Sequence, residues 1–202
     1  MPDVAVHVLK DDFPLHMSPA EAALLNELMQ AARFYLEWGS GGSTLAAVRS
    51  NIGQIVSVET DAAWIERLRQ HQEIASAVSA NRLIFRHVDI GPVGHWGVPA
   101  SESKIRTWPQ YALDPFISTD FDYDLILVDG RFRNHCLLAV VNCASDKSLI
   151  FLHDYMFRHS YTVADKYFDT IRRVDTGILL KKRVNINYRS LYIDLINSLF
   201  DI

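Results

Sequence analysis

Leu36-Glu37-Trp38-Gly39-Ser40-Gly41-Gly42-Ser43-Thr44 is the stretch that decides the reading of this chain. Its first residues close a short strand-like run, Phe34 to Trp38, and Ser43 to Arg49 continues with helical spacing. Glycines between a strand and a helix let the backbone turn sharply and let a ligand approach it closely. Folds that bind nucleotides beyond the carboxyl ends of parallel strands use such a unit. A lone glycine-x-glycine is weak by itself, so its weight comes from the surrounding pattern.

Outward from the turn, strands and helices alternate. Upstream, Ser18-Pro19-Ala20-Glu21 reads as a helix start, in which Ser18 caps, Pro19 takes the first helical position and Glu21 closes a capping box. Downstream, Ile55–Glu59, Leu83–Val88, Asp124–Asp129 and Ser148–His153 read as strands, with helices over Asp61–Ser79, Arg131–Ala144 and Tyr161–Arg172. Two short strands are expected near Arg173–Asp175 and Ile178–Lys182, and a last amphipathic helix over Ser190–Phe200. The continuous apolar runs Leu125–Val128 and Leu149–Leu152 suit strands covered on both faces. The expected fold is α/β: a doubly wound, mostly parallel, seven-stranded sheet flanked by helices, its last strand antiparallel.

With 202 residues, one domain is expected over 1–202. Within it, 1–33 form an N-terminal helical extension, 90–121 a lid or acceptor-binding insertion without regular pattern, and 184–202 a C-terminal helical tail. Loops as long as 90–121 are usually functional, and this one holds His95, Trp96, Trp108, Tyr111 and Phe116. A net charge of -4 argues against a nucleic-acid partner. No apolar run reaches the roughly 20 residues of a membrane span, and Met1–Asp12 carries no secretory pattern. Cys136 and Cys143 match neither a redox pair nor a zinc site, which suits free thiols and a cytoplasmic location. The amphipathic terminal helices offer a surface for a homodimer.

Polar residues gather where the apolar strands stop: Glu37, Glu59, Asp89, Asp129 and the pair His153-Asp154. A parallel sheet brings such ends to one rim. A dinucleotide fingerprint would want glycine at position 44, where Thr44 stands. A pyrophosphate also wants an anion-welcoming helix start. An acid about 6 Å from a phosphate would oppose it by on the order of 2–3 kcal/mol at an effective dielectric of about 20. The rim therefore suits a ligand with positive charge and no phosphate.

The ordered set Leu36–Ser43, Val58-Glu59, Val88-Asp89 and Asp124–Gly130 resembles the class I S-adenosylmethionine-dependent methyltransferases, over residues 18 to 182. The resemblance implies a Rossmann-like methyltransferase fold with S-adenosyl-L-methionine as cofactor. It places Gly39, Ser40 and Gly41, with Trp38, beside the methionine part, and Glu37 on the amino group. Ser43 and Thr44 would cap the next helix. Glu59, followed by Thr60, would accept both ribose hydroxyls, as a carboxylate can. Asp89 would accept from the adenine amino group, and Ile90 would pack on the ring.

Asp129, His153 and Asp154 are the catalytic candidates. Methyl transfer is an in-line displacement in which positioning matters most, with a base needed when the acceptor holds its proton. His153 has the intrinsic pKa for that base. Asp129 and Asp154 also resemble the metal acids of catechol-type O-methyltransferases. That family usually has another acid or amide beside the second one, where Tyr155 stands here, so no metal is expected. Arg131 and Arg133 oppose the helix dipole at a helix start, a local conflict that points to function, such as meeting an anionic acceptor. Trp64 reads as core, and Lys181-Lys182-Arg183 as a solvated edge. The expected activity is methyl transfer to a small-molecule acceptor. The alternatives are a non-catalytic module binding S-adenosylmethionine or S-adenosylhomocysteine, a nicotinamide-dependent oxidoreductase and, as a minor one, an aminopropyl transferase.

Overall fold

Parallel strand pairing organises the molecule. A computed structural model describes residues 13–156 and 161–201, so the leading arm expected over Met1–Asp12 lies outside the described residues. The elements run α1 (Pro19–Ala31), β1 (Phe34–Trp38), α2 (Gly42–Arg49), β2 (Gln54–Glu59), α3 (Ala62–Arg69), α4 (Gln72–Ser79) and β3 (Leu83–His87). Two 3-10 turns follow, His95–Gly97 and Ile105–Thr107. Then come α5 (Trp108–Ser118), β4 (Leu125–Val128), α6 (Arg133–Cys143), β5 (Leu149–Leu152), α7 (Thr162–Tyr167), β6 (Phe168–Val174), β7 (Gly177–Lys182) and α8 (Tyr188–Asn197).

The seven strands form one sheet in the order β3-β2-β1-β4-β5-β7-β6. Strands β1 to β5 pair in parallel. β7 runs antiparallel to both β5 and β6. The chain winds outward through β1, β2 and β3 and then returns to place β4 beside β1. This makes the gap between β1 and β4 the switch point, where such sheets bind ligands. One core cluster holds Trp38, Tyr111, Phe132 and Leu137, and a second holds Leu25, Met29, Tyr35 and Ile55. The capping box at Ser18 forms as read: Ser18 Oγ accepts from Glu21 N, and the Glu21 carboxylate accepts from Ser18 N. Among the described residues no helix is long and apolar enough to cross a membrane.

Three expectations are corrected. The helix over Asp61–Ser79 is two helices, broken at His71, whose backbone is extended and whose ring packs edge-on against Phe13; a tertiary contact overrides local propensity. The helix over Tyr161–Arg172 stops at Tyr167, and Phe168 begins a strand of seven residues. Ladder bonds to β7 win there over a weak helical period. Residues 90–121 are not wholly irregular, since α5 forms the crossover from β3 to β4 and buries Trp108 and Tyr111 in the core.

The switch point is packed to its limit. A Cβ on Gly130 would stand 2.0 Å from Tyr111 Oη and 2.9 Å from both Gly39 N and Trp38 C. Two of those neighbours are backbone and cannot rotate away. Gly130→Ala is expected to lower the unfolding free energy by about 1–3 kcal/mol, read as a lower urea midpoint.

Candidate functional site

Gly39 takes a left-handed φ of 96°, and a Cβ there would lie 3.0 Å from Gly130 Cα. The turn therefore presses on the end of β4, with Gly39 N donating to Val58 O and Asp129 N to Trp38 O. Side chains lock it from beneath. Glu37 is fully buried and accepts from the hydroxyls of Tyr35 (3.0 Å), Ser43 (2.7 Å), Ser57 (2.7 Å) and Thr44. Thr44 Oγ1 also accepts from Gly41 N at 2.9 Å. Burial pushes the Glu37 pKa up, and the four hydroxyls pull against that shift without cancelling it. This corrects the expectation that Glu37 meets a ligand amino group. On β1 its side chain shares a face with Tyr35, under the hydroxyls of the first turn of α2. Trp38 points to the opposite face, where its Nε1 donates to Tyr111 O at 2.8 Å and its ring is core rather than ligand wall.

Ser40 faces β2. Its N donates to Glu59 Oε2 at 3.1 Å, its Oγ lies 2.6 Å from Ser57 Oγ, and its carbonyl accepts from Trp64 Nε1 at 2.8 Å. Trp64 thus braces the glycine turn, a role that its reading as plain core missed. Glu59 Oε1 accepts from Thr60 N (2.6 Å), Thr60 Oγ1 (3.1 Å) and Asp61 N (3.0 Å). The 3-10 turn His95–Gly97 lies above, and a Cβ on Gly97 would come within 3.0 Å of Thr60 Oγ1 and 3.9 Å of Glu59 Oε1. The exposed Trp96 ring meets His16 edge-on at 5.5 Å. Of the segment 90–121, only the first third lies over Glu59, because Trp108 and Tyr111 are taken up by the core.

Asp89 is exposed, accepts from Gly91 N at 3.0 Å and pairs with Lys104. The Lys104 ammonium, first, and the Gly91 amide hold its pKa below the usual value. It borders a cavity of about 510 Å³ that His87, Lys104, Arg106, Thr107 and Asp114 also line. Ile90 is corrected from ring-packing residue to core: it is fully buried, and its carbonyl accepts from Trp108 Nε1 at 3.0 Å. Of the three acids at 37, 59 and 89, then, Glu37 lies under the turn, Glu59 borders it and Asp89 faces solvent.

Beyond β4 and β5 the structure brings Asp129, His153 and Asp154 together and adds Glu21 and Arg133. Asp129 Oδ1 lies 2.9 Å from His153 Nδ1 and accepts from Arg133 Nη2 at 3.1 Å. His153 Nε2 lies 3.5 Å from Glu21 Oε2 and 3.9 Å from Asp154 Oδ1. Glu21 is anchored in turn by Thr176, whose N (2.9 Å) and Oγ1 (2.7 Å) donate to Oε1. Burial alone would lower the His153 pKa, but the hydrogen bond with Asp129 and the charges of Asp129, Asp154 and Glu21 raise it overall. Both ring nitrogens face carboxylates, so the geometry favours a buried imidazolium over the free base expected from sequence. Arg133 turns inward too, which corrects its reading as a contact for an anionic acceptor. The helix-dipole conflict was the signal for Arg133. Glu21 gave none beyond its capping box.

No protein-family model matches the chain, and no curated protein matches its sequence. Solved structures do. A methyltransferase-like protein from Silicibacter pomeroyi shares 30% identity and a TM-score of 0.81, over 95% of this chain and 99% of that one. An O-methyltransferase from Bacillus cereus in complex with SAH shares 17% identity and a TM-score of 0.55, over 84% of each chain. An O-methyltransferase from Streptomyces achromogenes in complex with SAM, involved in tomaymycin synthesis, shares 16% identity and a TM-score of 0.52, over 80% of this chain and 78% of that one. The last two likenesses are of fold.

The raised His153 pKa sets a sign. A histidine bound more tightly to its proton in the folded state stabilises most below its unfolded pKa of about 6.5 and loses that contribution as pH rises through the folded value. The stability advantage of the wild type over His153→Asn is therefore expected to be largest below about pH 6.5 and to shrink as pH rises above it, measured by denaturant unfolding.

Proposed function

Since the chain belongs to the family of the Silicibacter pomeroyi methyltransferase-like protein, we propose that it is an S-adenosylmethionine-dependent methyltransferase acting on a small-molecule acceptor. The observation that carries this reading is Glu59 at the end of β2, one carboxylate oxygen bonded to the backbone of the glycine turn and the other beside the lid turn. Oε2 takes one bond, from Ser40 N, and keeps lone-pair capacity for a ribose hydroxyl. The buried carboxylate of Glu37 beneath the turn disfavours a pyrophosphate there, which weighs against a nicotinamide dinucleotide. The cofactor would supply a methyl group already activated on a sulfonium. The chain's own contribution is to orient it from the turn Gly39–Gly41 and to exclude water with the His95–Gly97 turn.

On the acceptor side Asp129 is partly exposed while His153 is buried. Asp129 is thus the group placed to accept a hydrogen bond from the acceptor nucleophile, with His153 and Arg133 orienting it and Asp154 alongside. The commitment of both His153 nitrogens also favours a second reading, a binding module without chemistry. A panel of acceptors separates the two, because one acceptor methylated by the wild type and not by Asp129→Asn removes the module.

A second copy of the chain is the partner we propose for α8. Tyr188, Tyr192, Ile193, Ile196 and Phe200 are between 50% and 68% exposed, while Leu191 and Ser198 on the other side are buried. The exposed apolar area is roughly 600 Å² per chain, so a symmetric pair would bury roughly 1,200 Å², the lower bound of stable interfaces. Asp194, Asn197 and Asp201 beside the stripe do not suit an anionic membrane.

Calorimetry with S-adenosylhomocysteine should show binding that Glu59→Ala weakens at least tenfold. No heat at high micromolar ligand with folded protein would remove the cofactor reading. Sedimentation velocity should show a dimer that the double variant Tyr192→Glu, Ile196→Glu converts to a monomer with an unchanged far-ultraviolet spectrum. A wild-type monomer up to about 100 µM would remove the second-copy reading.

A further inference from the structure

We infer that the acceptor side is a metal-free centre whose resident cation is the guanidinium of Arg133. The inference rests on the methyltransferase reading only in calling this the acceptor side. Asp129, His153 and Asp154 bring three ligand atoms within 4.8 Å of one another. The O-methyltransferases that these strand-end acids resemble use such a place for a divalent ion. The donor set here does not fit one, on three grounds.

The position of positive charge is already taken. Arg133 Nη2 lies 3.1 Å from Asp129 Oδ1 and 3.9 Å from Asp154 Oδ2. Its side chain is 5% exposed. Backbone carbonyls fix it there: Nε donates to Gly130 O at 3.0 Å, Nη1 to His153 O at 2.5 Å and Nη2 to Asp129 O at 2.8 Å. Swinging the guanidinium away would strand those acceptors and leave a buried charge unpaired. A dication bound to the same two carboxylates would have to coexist with it at close range.

The would-be ligands are also engaged with each other. Oδ1 of Asp129 already takes both Arg133 and His153. A metal-bound histidine gives one nitrogen to the ion and its other N–H to an outer partner. Here Nδ1 bonds to Asp129, and Nε2 lies between Glu21 Oε2 at 3.5 Å and Asp154 Oδ1 at 3.9 Å, so neither nitrogen is left to an ion. Ligand number is short as well. A hard cation fills six or more positions with oxygens, water among them, and the residue that follows Asp154 adds no further oxygen beside it, since it is Tyr155 and turns its hydroxyl away to Asp165 at 2.7 Å.

Mn²⁺ alone is the probe. Electron paramagnetic resonance of free Mn²⁺ should show no uptake by the wild type below about 1 mM, a range that includes weak protein sites. Arg133→Lys should behave the same way. Arg133→Gln, which removes the charge, should gain Mn²⁺ affinity at least tenfold, and that gain should vanish when Asp154→Asn is added. Micromolar Mn²⁺ binding by the wild type would overturn the inference, as would a folded Arg133→Gln with no gain. Should Arg133→Gln not fold, the wild-type His153 ring resonances decide. Signals unbroadened by Mn²⁺ at about 1 mM support the inference, and paramagnetic broadening overturns it. S-adenosylhomocysteine titrations of the same samples report on the cofactor reading separately.

Discussion

A carboxylate without access to water holds this site together. Glu37 gathers hydroxyls from its own strand (Tyr35), from the neighbouring strand (Ser57) and from the first turn of α2 (Ser43 and Thr44). Burying an acid is unfavourable unless its lone pairs are met, and here donors from three elements meet them. The glycine turn is therefore set by a polar knot as much as by its own conformational freedom. Ser57 extends the knot to Ser40, and Ser40 passes it to Glu59, so the two strand-end acids are linked through hydroxyl and amide groups.

The other half of the rim follows a different rule. Around β4 and β5 the carboxylates Asp129, Asp154 and Glu21 are balanced by Arg133 and the His153 ring. Around β1 and β2 the buried carboxylates are met by hydroxyls and backbone amides, whereas around β4 and β5 the carboxylates are met by positively charged partners.

How much of this was legible in the sequence depended on whether the signal was local. The turn, the strands that carry Glu37 and Glu59 or lead into Asp129, and the capping box at Ser18 follow from period and side-chain chemistry within a few residues, and they stand where expected. The direction in which Glu37 points does not follow. It depends on what α2 presents to β1, although Ser43 and Thr44 carried the hint in their hydroxyls. Ile90 and Trp38 were read as ligand wall because of their positions in a motif, but the packing of α5 made them core. Arg133 stood out through its conflict with the helix dipole, and its side chain turns inward to Asp129 and to backbone carbonyls rather than outward. Strand β6 was misread because its pairing partner, not its own periodicity, makes it extended.

Glu21 binds Thr176 across 155 positions of chain, and Ser18 reaches Asp175 across 157. These ties join the first described helix to the last hairpin of the sheet. The hydrogen bonds that Glu37 and Glu59 accept around the glycine turn, by contrast, span no more than about twenty positions. Loop closure over so long a span is entropically demanding. A chain emerging from the ribosome thus has the residues that bond to Glu37 and Glu59 well before the hairpin that anchors Glu21. The surroundings of His153 are complete only when the β6–β7 hairpin has come back to meet α1.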